Sequence, residues 1–338
     1  MKILVGISGG VDSAFVASSL KKQGHEVEGC VLIMHPHCEI EEARRVASEI
    51  DIPLHEIDVS STFDSIVKEN FINEYLSGRT PNPCIICNER VKFRALCDYA
   101  IERGFDRIAT GHYADIAFEN GRYAVKMAVD RKKDQSYMLY RLPQDVLSML
   151  VLPLANSTKS NVRSSAGEES ISVAEKKDSQ EICFLPDGNY AEYIESVRGT
   201  CPEGNFVDPE GKILGKHKGI IRYTVGQRKG LGIALGARAF VTDISPITND
   251  ITLSCEVKGR EKVDISGVVY SGISEPNEVV SLNVLVKLRY TARLTPALAH
   301  LNTDGSATLV FDSPVTAAPG QSAVAYRDGT VLFGGFIH

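Results

Sequence analysis

The sequence predicts an α/β protein in three parts: a parallel sheet covered by helices, a small mixed domain, and a C-terminal antiparallel β-barrel. Two observations carry this. From Lys2 to His112, short β-branched runs alternate with helical patterns, the mark of a parallel sheet with helices on both faces. Beyond about Arg238 the pattern changes to short alternating runs bounded by Asp, Gly, Pro and Asn, as in a closed or sandwiched antiparallel sheet.

Taken in order, the first part reads as strand KILVGI, a helix from about Asp12 to Lys22, strand EVEGCVLIM, a helix through EEARRVASEI, strand PLHEIDV, and later strand DRIATGH. Its active edge is expected at the strand ends. From about Asn156 to Ala234 the alternation is lost, and helical stretches (VRSSAGEES, NYAEYIESVRG) lead into a glycine- and lysine-rich segment. The last part holds AFVTDI, DITLSCEV, VVSLNVLVKLRY, SATLVF and SAVAYRDGTVLFGGFI as strand candidates. The expected domains are 1–155, 156–235 and 236–338.

With 338 residues, 43% of them hydrophobic and 24% charged, the chain has enough apolar material for more than one core. It has no apolar run of the roughly 20 residues needed to span a bilayer, and MKILVGISGG enters a strand and a glycine turn directly. A cytoplasmic protein with no membrane partner is therefore expected. Eight cysteines are too sparse for a disulfide scaffold in a chain of this length, so clustered ones point to metal or sulfur chemistry. The formal charge is -6, yet between Gly211 and Thr242 stand Lys212, Lys216, Lys218, Arg222, Arg228, Lys229 and Arg238 with no acid among them. That segment is a local footprint for phosphates.

The residues Gly6, Ile7, Ser8, Gly9, Gly10, Val11, Asp12 and Ser13 follow the first strand and open the first helix. Backbone N–H groups and the helix dipole converge there on one anion site. No Gly-Lys-Ser/Thr follows, so this is not a Walker A loop and simple γ-phosphate transfer is not indicated. A second segment, GRTPNPCIICN, holds the one close cysteine pair, Cys84 and Cys87, behind two prolines that stiffen its approach. The nearby Arg79, Arg90, Lys92 and Arg94 are expected to favour thiolate, the nucleophilic form.

By itself the Cys-x-x-Cys has three readings: half a zinc site, a redox pair, or a catalytic thiol with a neighbour. Cys38, His35 and His37 are the nearest source of further zinc ligands, but no second Cys-x-x-Cys exists. Two buried, inert cysteines are the plain alternative. Cys183 ends the polar run KKDSQEIC before Phe184, and is open between packing and chemistry.

SGGVDS resembles the pyrophosphate-binding loop of the ATP pyrophosphatase superfamily, whose members cleave ATP between the α and β phosphates and attach AMP to a substrate oxygen. The chain as a whole resembles the bacterial tRNA-specific 2-thiouridylases. The likeness is carried by SGGVDS, GRTPNP, Asn88, the Lys92-Phe93 pair, ATGHYA (Ala109 to Ala114), KDQSY (Lys133 to Tyr137), Thr158-Lys159, Val162-Arg163, KKDSQEICF, YTVGQRKGLG (Tyr223 to Gly232), Arg289-Tyr290 and Gly320-Gln321. It implies that the first domain is an adenine-nucleotide-binding one that takes ATP with Mg²⁺ at residues 6 to 13, with Leu32 and Gly111 near the adenosine. It implies a tRNA substrate, of the lysine, glutamate and glutamine acceptors, whose wobble uridine is thiolated. The middle domain would be tRNA-binding.

The resemblance further implies that Cys183 accepts a persulfide from a cysteine desulfurase or relay protein. Cys87 then works against it, releasing sulfide or closing a Cys87–Cys183 disulfide. Asn82, Pro83 and Cys84 would lie at the target base, with His112, Lys133, Asp134, Gln135, Arg289, Tyr290 and Gln321 as further RNA contacts. Two departures stand out. Many relatives have Asp where this chain has Cys84, which allows Cys84, Cys87 and Cys183 to be read instead as three ligands of an iron–sulfur cluster that activates sulfide. The stretch Met34 to Cys38 is also shorter than usual in the family. The rivals are a ligase that adenylates a small metabolite, which has no need of paired cysteines, and a non-catalytic tRNA-binding module, in which SGGVDS or the thiols would have decayed.

Overall fold

The computed structural model describes every residue except 170, 177–181, 186–187, 234–237 and 257–258. The N-terminal alternation folds as expected. Strands β1 (Lys2–Gly6), β2 (Glu26–Ile33), β3 (Leu54–Asp58) and β4 (Arg107–Ala109) are followed by a hairpin, β5 (Ala114–Glu119) and β6 (Arg122–Met127), and by the short β7 (Leu150–Val151). The sheet order is β3-β2-β1-β4-β7, and every pairing in it is parallel. Ile3, Leu4 and Val5 of β1 are fully buried because helices cover both faces, which is why this strand reads as a continuous apolar run.

Helix α1 (Val11–Lys22) follows β1, and α2 (Ile40–Ile50) follows β2. The chain moves from β1 outward through β2 to β3, then returns to place β4 on the other side of β1. The crevice above the carboxyl ends of β1 and β4 is therefore a topological switch point, where α/β sheets bind ligands. Both SGGVDS and Thr110-Gly111 leave the sheet there.

The middle of the chain contributes α4 (Lys159–Glu168), α5 (Tyr190–Arg198), β8 (Gly204–Val207) and β9 (Ile213–His217). Its sheet has the order β10-β11-β8-β9, with β10 (Phe240–Ser245) and β11 (Asp250–Ser254). These last two strands, read from sequence as the start of the C-terminal sheet, instead pair beside β8 in register Asp250↔Asn205. Short alternating strands carry no local record of the partner they join, and burial of Phe206, Ile244, Ile251 and Leu253 in one cluster decides it.

Strands β12 (Arg260–Tyr270), β13 (Val280–Lys287), β14 (Thr295–Leu301), β15 (Ala307–Val315), β16 (Ser322–Arg327) and β17 (Thr330–Ile337) run in the order β12-β15-β14-β13-β16-β17. An antiparallel β12–β17 pairing closes them into the expected barrel. The barrel is anchored to the N-terminal domain. Tyr326 and Val331 share a core with Leu4, Phe93 and Tyr137, and the Tyr137 hydroxyl donates to the Ser322 carbonyl at 2.8 Å. Among the described residues no helix is long and apolar enough to cross a membrane.

Candidate active site

The anion loop is built by close approach. Gly9 has φ +72°, and a Cβ there would lie 2.8 Å from Cβ of Glu42 on α2, so only glycine fits. Gly10 caps α1 without any side-chain hydrogen bond to the helix, which leaves the first N–H groups of α1 for a ligand. Ser13 is buried and ties the turn, accepting from the Ser8 N–H at 3.1 Å and donating to the Gly10 carbonyl at 3.0 Å. Gly111 closes the other side: a Cβ on it would stand 2.8 Å from the Ser13 backbone nitrogen. Leu32, near the carboxyl end of β2, is buried in the adjoining core.

Two cations flank this loop to which the sequence reading gave no role, though both stand in motifs that carry the likeness. Lys159 Nζ lies 2.7 Å from Asp12, whose other oxygen accepts from the Tyr113 hydroxyl at 2.9 Å. Lys176 Nζ reaches Glu39 at 2.6 Å and the Gly9 carbonyl at 3.4 Å. Their signal in sequence is faint, since a lysine beside a helix cap usually faces water.

The thiols are brought together from distant segments. Asn82 is the N-cap of α3 (Pro83–Cys87), accepting from the Cys84 N–H at 3.2 Å, with Pro83 at the first helical position. The helix continues through Asn88–Lys92 into Phe93–Glu102. Cys87 is buried on its inner side, while Cys84 is exposed. Cys183 is exposed too, and Phe184 beside it is pinned edge-on against Phe63, Phe71 and Tyr193. Phe184 and Cys87 belong to one apolar cluster, and Cys84, Cys87 and Cys183 act electrostatically on one another. Residues 177–181 of KKDSQEICF lie outside the described residues.

The expected thiolate is not what this arrangement gives. The atoms crowded round the sulfurs strip them of water even where Cys84 and Cys183 keep exposed surface, which pushes the Cys87 thiol up to about 11 and Cys183 up to about 12 and raises Cys84 too, so all three are protonated at neutral pH. Of the four basic residues near the pair, only Lys92 acts on them, and it is outweighed. Arg79 is turned to Glu74, Arg90 to Glu89 and Arg94 to Asp145. Spacing along a helix could not show which cations face the sulfur. Among the described residues no three His, Cys, Asp or Glu side chains gather closely enough to hold a metal ion.

Around Cys84 the expected base-side residues fall into two groups. Tyr290, half-buried, lies in electrostatic range of Cys84 and Asp134, and Arg289 is exposed beside it. His112 Nδ1 is 2.8 Å from the Thr110 hydroxyl, and burial followed by the charge of Lys92 lowers the imidazole to about 3, which keeps it neutral. Lys133 is partly exposed. The others are engaged within the protein. Asp134 is buried and accepts from the Ser136 hydroxyl at 2.8 Å and the Ala128 N–H at 3.0 Å. Gln135 accepts from the Tyr113 N–H at 2.9 Å, and Gln321 donates to the Thr80 carbonyl at 2.8 Å. Gln321 thus ties the barrel to the loop that carries Asn82 and Pro83.

Comparison with known proteins covers the chain from end to end. Family models described as a tRNA methyl transferase HUP domain, a tRNA methyl transferase PRC-barrel domain and an aminomethyltransferase beta-barrel domain match residues 1–187, 191–255 and 260–337. The chain is 41% identical to the tRNA-specific 2-thiouridylase MnmA of Clostridium acetobutylicum, covering 99% of both chains. To that of Acetivibrio thermocellus it is 41% identical over 99% of this chain and 98% of the relative. To that of Clostridium perfringens it is 42% identical, again over 99% and 98%. An anion loop at the switch point, a cluster of thiols drawn from distant segments and a match from end to end converge on one assignment: the chain belongs to the tRNA-specific 2-thiouridylase family.

Proposed function

We propose that this protein is an ATP-dependent tRNA-uridine 2-sulfurtransferase acting on the wobble uridine of the lysine, glutamate and glutamine tRNAs. The observation that carries the reading is the thiol cluster, in which Cys183 stands in electrostatic range of Cys84 and Cys87, ninety-odd positions away in the chain, and Tyr290 in range of Cys84. A ligase for a small metabolite has no use for it.

In this reading the uridine O2 attacks the α-phosphorus of ATP and pyrophosphate leaves, because a carbonyl oxygen is otherwise a poor leaving group. The N–H groups of residues 6 to 13 hold the phosphates, and Lys159 and Lys176 stand ready to balance their charge. Asp12 is the loop carboxylate that would hold a Mg²⁺ brought with the nucleotide, which would neutralise the leaving pyrophosphate. Cys183 receives a persulfide from a cysteine desulfurase or relay protein. Cys87 attacks the Cys183 sulfur, hydrosulfide is released onto C2, AMP departs, and a Cys87–Cys183 disulfide remains. The high thiol pKa values keep both groups unreactive until a substrate or persulfide changes their surroundings. A base must be splayed out of its stack to reach Cys84, where Tyr290 offers a stacking face and neutral His112 a hydrogen bond.

The test is tRNA thiolation with ATP and a cysteine desulfurase, set against anaerobic iron-and-sulfide reconstitution. Thiolation by colourless protein, lost in Cys183→Ser, supports the relay. Thiolation from free sulfide only by brown, reconstituted protein overturns it in favour of a cluster.

A further inference from the structure

Four of the eight cysteines are accounted for by packing or position. Cys30, Cys97 and Cys201 are buried among apolar side chains, and Cys255 is exposed beyond β11. Cys84, Cys87 and Cys183 form the recess. The remaining one, Cys38, belongs to the short connection from Met34 to Glu39 between β2 and α2, which the reaction above leaves without a task.

That connection delivers a fourth thiol to the same place. The Met34 N–H donates to Cys38 Sγ at 3.3 Å, and the Cys87 thiol donates to Met34 Sδ at 3.8 Å, so Cys38 and Cys87 touch opposite ends of one methionine. Cys38 also lies in electrostatic range of both Cys87 and Cys183. Unlike Cys87 it is partly open to solvent. Met34 is an unbranched, flexible side chain, the kind that gives way most readily when two neighbours must meet.

We propose that Cys38 is a resolving thiol, which attacks the Cys87 sulfur of the Cys87–Cys183 disulfide and so frees Cys183 for the next persulfide. The inference rests on the reading in which Cys87 displaces sulfur from Cys183. In the step, the Cys38 thiol gives up its proton and its sulfur bonds to Cys87 Sγ. The bond from Cys87 to Cys183 breaks, and the electron pair leaves on Cys183 Sγ, which takes up a proton. Nothing is oxidised or reduced overall: one disulfide replaces another. A dithiol reductant then opens the Cys38–Cys87 bridge, reached through the partly exposed Cys38. The exposed Cys183 is meanwhile free to meet a donor protein.

The experiment uses the full chain, unmodified tRNA, Mg-ATP and a persulfide-loaded cysteine desulfurase, without added reductant. The reaction is quenched with N-ethylmaleimide after one turnover and the disulfides are mapped by mass spectrometry. The wild type is expected to show a Cys38–Cys87 bridge with Cys183 alkylated, and Cys38→Ser a Cys87–Cys183 bridge. The first-turnover yield of Cys38→Ser should equal that of the wild type, while later turnovers at limiting dithiol slow several-fold. A Cys87–Cys183 bridge with Cys38 alkylated in the wild type overturns the proposal and leaves the relay standing. If Cys183→Ser retains thiolation, the relay itself has failed and the resolving step falls with it.

Discussion

The anion loop, which follows β1, and the thiol recess, whose Cys38 follows the neighbouring β2, are built in opposite ways. The loop is local: residues 6 to 13 run on in the chain, the Ser13 hydroxyl ties their turn, and Gly111 and Glu42 close on it from either side. The recess is assembled from Cys38, Cys84 with Cys87, and Cys183, held by an apolar cluster in which Phe184 packs against Phe63 and Phe71. The difference teaches that nucleotide binding and sulfur transfer can be damaged separately, though the reaction needs both.

The largest expected effect breaks the recess alone. Cys183→Ser and Cys87→Ser should each lower thiolation by about 10⁴-fold, the scale of losing a reacting group. Pyrophosphate release from ATP with tRNA bound should persist, because the loop shares no atom with either thiol. A parallel loss of pyrophosphate release would show the two regions to be one.

The converse is Gly111→Ala. Its Cβ would intrude within 2.8 Å of the Ser13 backbone nitrogen and 2.9 Å of Asp12. A displacement of the loop on the order of 1 Å is worth roughly 10²-fold, so pyrophosphate release should fall by that factor. The rate of Cys183 persulfidation by a donor should stay the same.

How much of this was legible follows the same division. The SGGVDS loop could be read directly because strand, glycine turn and helix follow one another in the chain. The parallel sheet and the barrel were legible from their periodicities. The join of β10 and β11 to β8 was not, since register depends on partners far away. For the recess, the residues alone marked the Cys84–Cys87 pair and left Cys183 open between packing and chemistry; their roles came only through likeness to a family, and the expected thiolate of the pair was misjudged. The charge on Lys92 is adjacent, but burial dominates, and burial is a property of the assembled cluster. Asp134, Gln135 and Gln321 carry polar groups that suit RNA, and the fold adds what no sequence pattern indicates, their hydrogen bonds to Ser136, Tyr113 and Thr80.

Ionisation gives the third test. With its thiol near 11, Cys87 is thiolate in roughly one molecule in 10⁴ at pH 7. A thiol below its pKa gains anion as pH rises, so alkylation of Cys87 in the free protein should speed up about tenfold per unit from pH 7 to 9. Lys92→Met removes the one charge that opposes burial and should slow that alkylation further at every pH. Rates that level off below pH 8 would mean the recess is wetter than its packing implies.

The smallest expected effect concerns the tie between barrel and recess. Gln321→Ala deletes the donor to the Thr80 carbonyl but leaves the neighbouring bond from the Thr80 N–H to the Pro319 carbonyl, at 2.9 Å. One neutral hydrogen bond is worth about 1 kcal/mol, so denaturant unfolding should show a loss of that order. Since the loop from Thr80 to Pro83 sets the N-cap of α3, the consequence for sulfur chemistry is a looser Cys84 and Cys87, and tRNA affinity and thiolation should drop together by a few-fold. Loss of tRNA affinity with unchanged stability would instead make Gln321 a direct RNA contact, and would move the boundary of the recess out to the barrel.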